Sequence, residues 1–200
     1  MSVMPDSTSL SFAALAMQLD ERSLAQRFAE GDAAAFEAVV AIHRPRITRL
    51  VYRLLGWPAD VDDMVQEVFL AALTKCRKFR GESALATWLT VIALNKCRTH
   101  RRGLLSRWRT LRRASRRSVQ LQSAADAAAM QDDTLAQVRE AIKKLAGRDR
   151  EVIVLHYLED RGVGEMAELL KLKTNAVEVR LHRARQRLKK LLEPLVEEKS

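Results

Sequence analysis

The 200-residue chain sets 35 Lys or Arg against 25 Asp or Glu, a net charge of +10, with 48% hydrophobic residues, seven glycines and four prolines. That apolar share is enough for one large or two small cores, and Ala, Leu, Arg and Glu recurring at helical spacing point to an all-α class. No run approaches the roughly eighteen apolar residues that span a bilayer, which excludes a membrane-spanning helix, and the positive excess favours a polyanionic partner, usually nucleic acid, over a merely basic surface.

Taken in order, residues 1–20 read as a loose extension. Asp6, with no basic residue before the short apolar stretch Leu10 to Leu19, does not resemble a signal peptide. Arg22 to Glu30 predicts a short amphipathic helix closed by Gly31. Asp32 is the expected N-cap of a helix running to Gly56 through Phe36, Val39, Val40, Ile47, Leu50, Val51 and Leu54, which Pro45 should kink or split. Pro58 then opens a helix over DVDDMVQEVFLAAL, residues 60–73, with Asp60 and Asp62 in its first turn, where the helix dipole favours acids.

At about 100° per residue, Val61, Met64, Val65, Val68 and Ala72 make a buried stripe. The other side carries Asp62, Asp63, Gln66 and Glu67 around Leu70, with Phe69 and Leu73 on the flank. Large apolar groups among carboxylates suit a partner protein with its own apolar and basic surface.

KCRKFRGESA, residues 75–84, breaks the helical period. A helix from about Ser83 runs through ALATWLTVIALNKCRTHRR, burying Leu85, Trp88, Leu89 and Ile92 and turning Thr87, Val91, Leu94, Asn95, Arg98, Arg101 and Arg102 outward. Lys96 to Arg117 holds ten Lys or Arg and no acid. Cations at a helix end are partly structural, but this density of like charge belongs to a segment that is extended or lying along phosphate. Residues 103–131 read as a linker, the alternative being that the Ala-rich part is a lead-in helix. Cys76 and Cys97 lack metal-ligand spacing and read as reduced, buried thiols of a cytoplasmic protein.

The second domain, residues 132–195, starts from an N-cap at Asp133 or Thr134. Its first helix should bury Leu135, Val138, Ile142 and Leu145, and a second, Asp149 to Glu159, should bury Val152, Ile153, Leu155 and Leu158. GVGEMAELL, a turn at Lys171 to Lys173 and TNAVEVRLHRARQRLKKLL then make short helix, tight turn and long basic helix, the helix-turn-helix pattern. With Val177, Leu181, Ala184 and Leu188 inward, Asn175, Glu178, Val179, His182, Arg183 and Gln186 face out with groups that match base edges. Arg180, Arg185, Arg187 and Lys189 flank them where phosphates would lie. A surface or coiled-coil helix rich in arginine is the blander alternative.

DVDDMVQEVFLAAL, then KFRGESALATWLTVIALN, a basic linker and EMAELLKLKTNAVEVRLHRARQRL resemble, in order and spacing over roughly residues 24–192, the extracytoplasmic-function group of bacterial sigma factors. The resemblance implies two small helical domains joined by a basic linker: region 2 over residues 21–102 and a region 4 helix-turn-helix. It implies a subunit that binds RNA polymerase core, carries it to promoter DNA and opens the duplex without a cofactor, a metal or catalytic residues. Asp62, Asp63, Gln66, Glu67 and Leu70 would dock on the clamp helices of the largest polymerase subunit, with the polymerase flap a second contact. Phe79, Arg80, Gly81, Glu82 and Ser83 would match the loop that holds a flipped minus-10 base, with Thr87, Asn95 and Arg98 following the displaced strand. Asn175, Glu178, Val179, Arg180, His182, Arg183 and Arg185 would meet the minus-35 duplex. A short basic protein with a linker also invites an anti-sigma factor. The chain departs from the family pattern at Val91, Thr99, Gly162, Gly164, Asn175, Ala176 and Glu178, which bears on promoter sequence rather than class.

Two rivals explain less. A helix-turn-helix regulator that never touches polymerase leaves the 60–73 helix, Trp88 and the 79–83 loop without a task. An enzyme using Asp62, Asp63 and Glu67 to hold Mg²⁺ lacks the second acidic site such chemistry needs, and His43, His100, His156 and His182 are scattered.

Overall fold

The computed structural model describes residues 21–56, 61–114 and 133–197. The extension 1–20, Pro58, Asp60 and residues 115–131 of the expected linker lie outside them. Among the described residues all regular structure is helical: α1 (Glu21–Glu30), α2 (Ala33–Leu55), α3 (Val61–Lys75), a 3₁₀ turn (Cys76–Lys78), α4 (Leu85–Ala114), α5 (Asp133–Lys144), α6 (Gly147–Ile153) running into a π turn (Val154–Leu158), α7 (Val163–Leu170) and α8 (Thr174–Glu197). The described residues up to Lys96, other than 54–56, form one compact unit; residues 54–56 join those from Cys97 onward in a second.

In the first unit, Asp32 opens α2 as its sequence position predicts. Its Oδ1 accepts from the backbone N–H of Ala34 at 2.8 Å and of Ala35 at 3.2 Å, while Arg27 Nη2 lies 2.6 Å from Oδ2. The Arg27 guanidinium first, then the Ala35 and Ala34 amides, hold this carboxyl below its ordinary value. A depressed carboxylate stabilises the fold above its unfolded pKa, about 4, and that contribution disappears as pH falls through the lower folded value. Amide exchange at Ala34 and Ala35 is therefore expected to speed up in acid relative to neighbouring α2 amides. Asp32→Asn, which keeps a cap acceptor but no charge, should flatten that pH dependence; an unchanged profile would count against it.

Pro45 does not split α2, which passes through it as one helix; proline removes a single i to i−4 bond, and the apolar face on either side holds the element together. Val39, Ile47, Leu50, Val51 and Leu54 are buried along it. Phe28 meets Phe36, Phe79 and Trp88 at centroid separations of 6.4, 6.4 and 5.9 Å, and Phe79 meets Trp88 at 5.4 Å. This cluster fixes α1, the residue after the 3₁₀ turn and the start of α4 together, with edge-on contacts of the kind ring quadrupoles favour.

Helix α3 buries the predicted stripe, but Phe69, expected on the exposed flank, is only 6% exposed. It lies one turn from Val65 and beside Ala72 on the wheel, so the buried arc is wider than a single stripe. Leu94 of α4, expected outward, is likewise buried. Thr90 is buried too: its hydroxyl donates to the Ala86 carbonyl at 2.8 Å and accepts from Arg46 Nη2 at 3.5 Å, tying α2 to α4. Helix α4 runs on to Ala114, so residues 103–114 of the expected linker are helical. Cys76 and Cys97 are free and buried, as expected, and burial pushes the Cys97 thiol up to about 12.

In the second unit α8 packs on α5, α6 and α7, with Val152, Ile153, Leu155, Met166, Val177, Leu181 and Ala184 in the core. Leu158, expected inside, is partly exposed on the π turn. Gly162 supplies no capping side chain, and Glu165 compensates by accepting from its backbone N–H at 3.0 Å. The turn into α8 has Lys171 in the left-handed region at φ 54°.

Three charged residues in a row at the start of this core were not legible as buried: Asp149, Arg150 and Glu151. Arg150 donates to the carbonyls of Ile142 at 3.2 Å, Leu145 at 3.2 Å, Leu54 at 3.2 Å and Leu55 at 2.8 Å, and also to that of Lys143. Those oxygens close the ends of α5 and α2, where orphan carbonyls and the negative end of each helix dipole attract a cation. Gly56, at φ +77°, is needed beside them, since a Cβ there would stand 3.0 Å from Arg150 Nη1.

Candidate protein and nucleic-acid interfaces

The outer face of α3 is open. Asp62, Asp63, Gln66 and Glu67 are exposed, Leu70 is 60% exposed and Leu73 40%. Asp63, Gln66, Glu67 and Leu70 follow i, i+3, i+4, i+7 spacing, so they share one side of the helix. Asp62 lies 4.0 Å from Arg44, and Glu67 3.1 Å from Lys96. Solvent-exposed pairs of this kind contribute little and exchange readily for another cation.

Beyond the 3₁₀ turn, Arg80, Gly81, Glu82 and Ser83 are exposed, with Gly81 at φ +71° and Arg80 3.8 Å from Glu82. Phe79 is different: its ring is buried against Phe28 and Trp88, so it braces the loop, and its side chain is not the open DNA-facing surface that grouping it with the loop implied. The loop faces α1 across an open cavity of about 680 Å³, whose α1 wall is Glu21, Arg22, Ala25, Gln26 and Ala29. Sequence reasoning missed that wall, because a short amphipathic helix carries no sign of what its polar face looks onto.

On α4, Thr87 is half-buried and Asn95 exposed. Arg98, within the second unit, is engaged: its Nε and Nη2 donate to Glu151 Oε2 at 3.0 and 2.8 Å, and Arg101 holds the other carboxylate oxygen. Glu151 is 1% exposed. A carboxylate so buried is sustained by two guanidinium groups, which satisfy both its oxygens.

On α8, Asn175, Glu178, His182 and Arg183 are exposed and Val179 is 44% exposed, on the side away from the core, while Arg180 is half-buried at its flank. Arg185 Nε donates to the Tyr157 hydroxyl at 2.7 Å with its guanidinium 5.5 Å from the ring centre, and Arg187 pairs with Asp149. These two flank the outward face and are held by α6 and the π turn. Below them, Val138, Ile142, Tyr157, Leu158, Leu188 and Leu192 line an apolar cavity of about 600 Å³ edged by Arg185, Lys189 and Glu193. No group of three or more His, Cys, Asp or Glu arranged to hold a metal occurs among the described residues, and none of the described helices is long and apolar enough to cross a membrane.

A helical unit with an exposed acidic and apolar face, in one chain with a helix-turn-helix, is the make-up of a DNA-directed transcription factor. Residues 39–110 match the family model for Sigma-70 region 2, and residues 135–188 that for Sigma-70, region 4. The chain is 28% identical over 195 residues to the RNA polymerase sigma-H factor of Pseudomonas aeruginosa, covering 90% of this chain and 98% of that one. It is 29% identical over 174 residues to the ECF RNA polymerase sigma factor SigW of Bacillus subtilis, covering 83% and 93%. Among solved structures, CnrH in complex with the cytosolic domain of CnrY is 34% identical with a TM-score of 0.62, over 87% of this chain and 97% of that one. The sigma factor RpoE of Bartonella quintana, solved with the anti-sigma factor NepR, has the same fold at 23% identity and a TM-score of 0.63, over 79% and 96%.

The chain belongs to the extracytoplasmic-function group of bacterial RNA polymerase sigma factors. It is a transcription initiation factor that binds polymerase core, recognises the minus-35 and minus-10 promoter elements and promotes DNA melting; a regulator acting without polymerase is not favoured.

Proposed function

We propose that this sigma factor meets the clamp helices of the largest polymerase subunit through Asp62, Asp63, Gln66, Glu67 and Leu70. The observation that carries the assignment is the exposure of Leu70 in the middle of exposed carboxylates. A solvated helix gains nothing from that leucine, whereas a coiled coil with basic and apolar positions buries it and pairs the acids. The apolar cavity under α8, with its charged edge, is the matching site for the polymerase flap. Polymerase-directed work places the protein in the cytoplasm, and an anti-sigma factor is a further partner, a reading supported by the CnrH relative having been solved bound to another protein.

Arg80 to Ser83 form the minus-10 loop, backed by Phe79, with Thr87 and Asn95 along the displaced strand. Arg98 stands outside this set, because its guanidinium is engaged by the buried Glu151. On α8, Asn175, Glu178, Val179, His182 and Arg183 read the minus-35 duplex, and Arg180 and Arg185 hold its backbone. Transcription from a randomised promoter library by purified core, with and without this protein, tests the assignment: initiation at a defined pair of elements should depend on its addition. In the same assay Glu178→Ala is expected to lose a cytosine preference within the minus-35 element by about tenfold. An unaltered minus-35 preference would remove Glu178 from the reading set.

A further inference from the structure

We propose that a recess in the second unit, between the stem of α4, the start of α6 and the α7–α8 turn, binds a small anion with two or more linked phosphate groups. Its volume is about 690 Å³, in the range of small-molecule sites. Arg98, Arg101, Arg102, Arg148 and Arg180 line it, with Glu151 the one carboxylate among the lining residues, and all of them belong to the same compact unit. Five guanidinium groups against one carboxylate leave an excess of four positive charges. A phosphate monoester carries roughly 1.5–2 negative charges at neutral pH, so one is too few and two or more match. Arginine is also the side chain whose planar fork of N–H groups fits phosphate oxygens in pairs. Arg180, assigned above to the minus-35 backbone, lines the same recess and would be drawn to a phosphate from either source.

Two of the arginines are anchored from within. Arg98 uses Nε and Nη2 on Glu151 Oε2, at 3.0 and 2.8 Å, while Arg101 holds the other carboxylate oxygen and donates through Nη1 to the Gly147 carbonyl at 3.1 Å. Glu151 is 1% exposed, and Gly147 has no side chain to displace Arg101: a Cβ there would stand 2.7 Å from its Nη1. A guanidinium has more N–H groups than these bonds use, so both keep donors for a ligand. The other three lack such an anchor, since among the described residues no carboxylate pairs with Arg102, Arg148 or Arg180. Like charges gathered this closely repel until an anion joins them. Their field reaches Arg150, whose ionisation is lowered by burial first and by Arg101 second. The form of the recess favours a small ligand over duplex DNA. Only 23% of the Arg98 side chain and 19% of the Arg101 side chain are exposed, and a duplex backbone is a convex ridge that meets outlying groups, whereas a smaller anion enters far enough to reach both. A phosphate chain is common to inorganic polyphosphate and to nucleoside polyphosphates; Leu170 and Leu172 add apolar surface that only the second would use.

The test is calorimetric titration of the full chain, at constant ionic strength, with inorganic tripolyphosphate, with ATP and GTP, and with sulfate as the simple anion. Tripolyphosphate is expected to bind at least about tenfold more tightly than sulfate. The double substitution Arg102→Gln, Arg148→Gln should weaken it by at least about tenfold with an unchanged thermal melt, since both side chains are exposed. Arg49→Gln, Arg139→Gln removes the same charge from exposed positions elsewhere and should leave tripolyphosphate affinity within about twofold of wild type. A nucleotide that binds more tightly than tripolyphosphate identifies a nucleoside ligand, and equal or weaker binding an inorganic one. Equal losses in the two double variants would reduce the binding to general charge and overturn the site, as would tripolyphosphate that binds no better than sulfate. If tripolyphosphate fails to bind while the Arg102→Gln, Arg148→Gln protein, assembled with polymerase core, loses affinity for promoter duplex, the recess is a contact for DNA backbone and the inference is likewise overturned.

Discussion

Leu70→Asp is expected to cut affinity for polymerase core by at least about a hundredfold, roughly 2.7 kcal/mol, and to abolish promoter-directed transcription. Burying a leucine against a partner is worth about 1.5–3 kcal/mol, and the substitution also forces a carboxylate against acceptor-rich neighbours or into a dry contact. The same change should leave the fold alone, because Leu70 is 60% exposed and surface substitutions away from caps and special backbone stay within about 0.5 kcal/mol. Titration of labelled protein with core, beside a thermal melt of the free protein, separates the two effects. Full-strength core binding by the variant, with an unchanged melt, would take the docking face off α3. Glu67→Lys supplies a second arm: it breaks the pair that the exposed Glu67 makes with the half-buried Lys96 3.1 Å away, at little cost to the fold, yet reverses a charge on the proposed contact.

The largest expected loss of stability belongs to Arg150→Met, at about 3 kcal/mol for the second unit. The side chain is buried and its guanidinium serves five carbonyl oxygens at the ends of α5 and α2. Methionine fills much of the volume but donates nothing, so the oxygens lose their donors where water enters poorly. Burial lowers the ionisation of Arg150 to about 10, which still leaves it a full cation at neutral pH. A denaturant melt of the variant within about 0.5 kcal/mol of wild type would show that solvent replaces the guanidinium freely.

What could be read in advance was local. Asp32, Gly31 and the Lys171 turn each act through neighbours a few residues away, so their roles are written in short stretches of chain. The stripe Val61, Met64, Val65, Val68 and Ala72 was legible for the same reason: one period, one buried side. Phe69 and Leu94 were placed wrongly because a helix with neighbours on more than one side buries a broader arc than its hydrophobic stripe. Glu151 was illegible in a stronger sense. A carboxylate is inside a core only if cations meet it there, and those come from Arg98 and Arg101, about fifty positions earlier in the chain. The outward faces of α3 and α8 were visible because mixed polar and apolar exposure departs from simple solvation. The α1 wall of the loop cavity was not, since Gln26 looks like any soluble helix residue until the loop is set opposite it.

The thiol in the middle of α4 sets how this protein meets oxidants. With an ionisation near 12, Cys97 carries almost no thiolate at neutral pH, and it is the thiolate that peroxides and alkylating reagents attack. The stem of that helix therefore keeps this sulfur out of thiolate chemistry, shielded by the same packing that raises its ionisation.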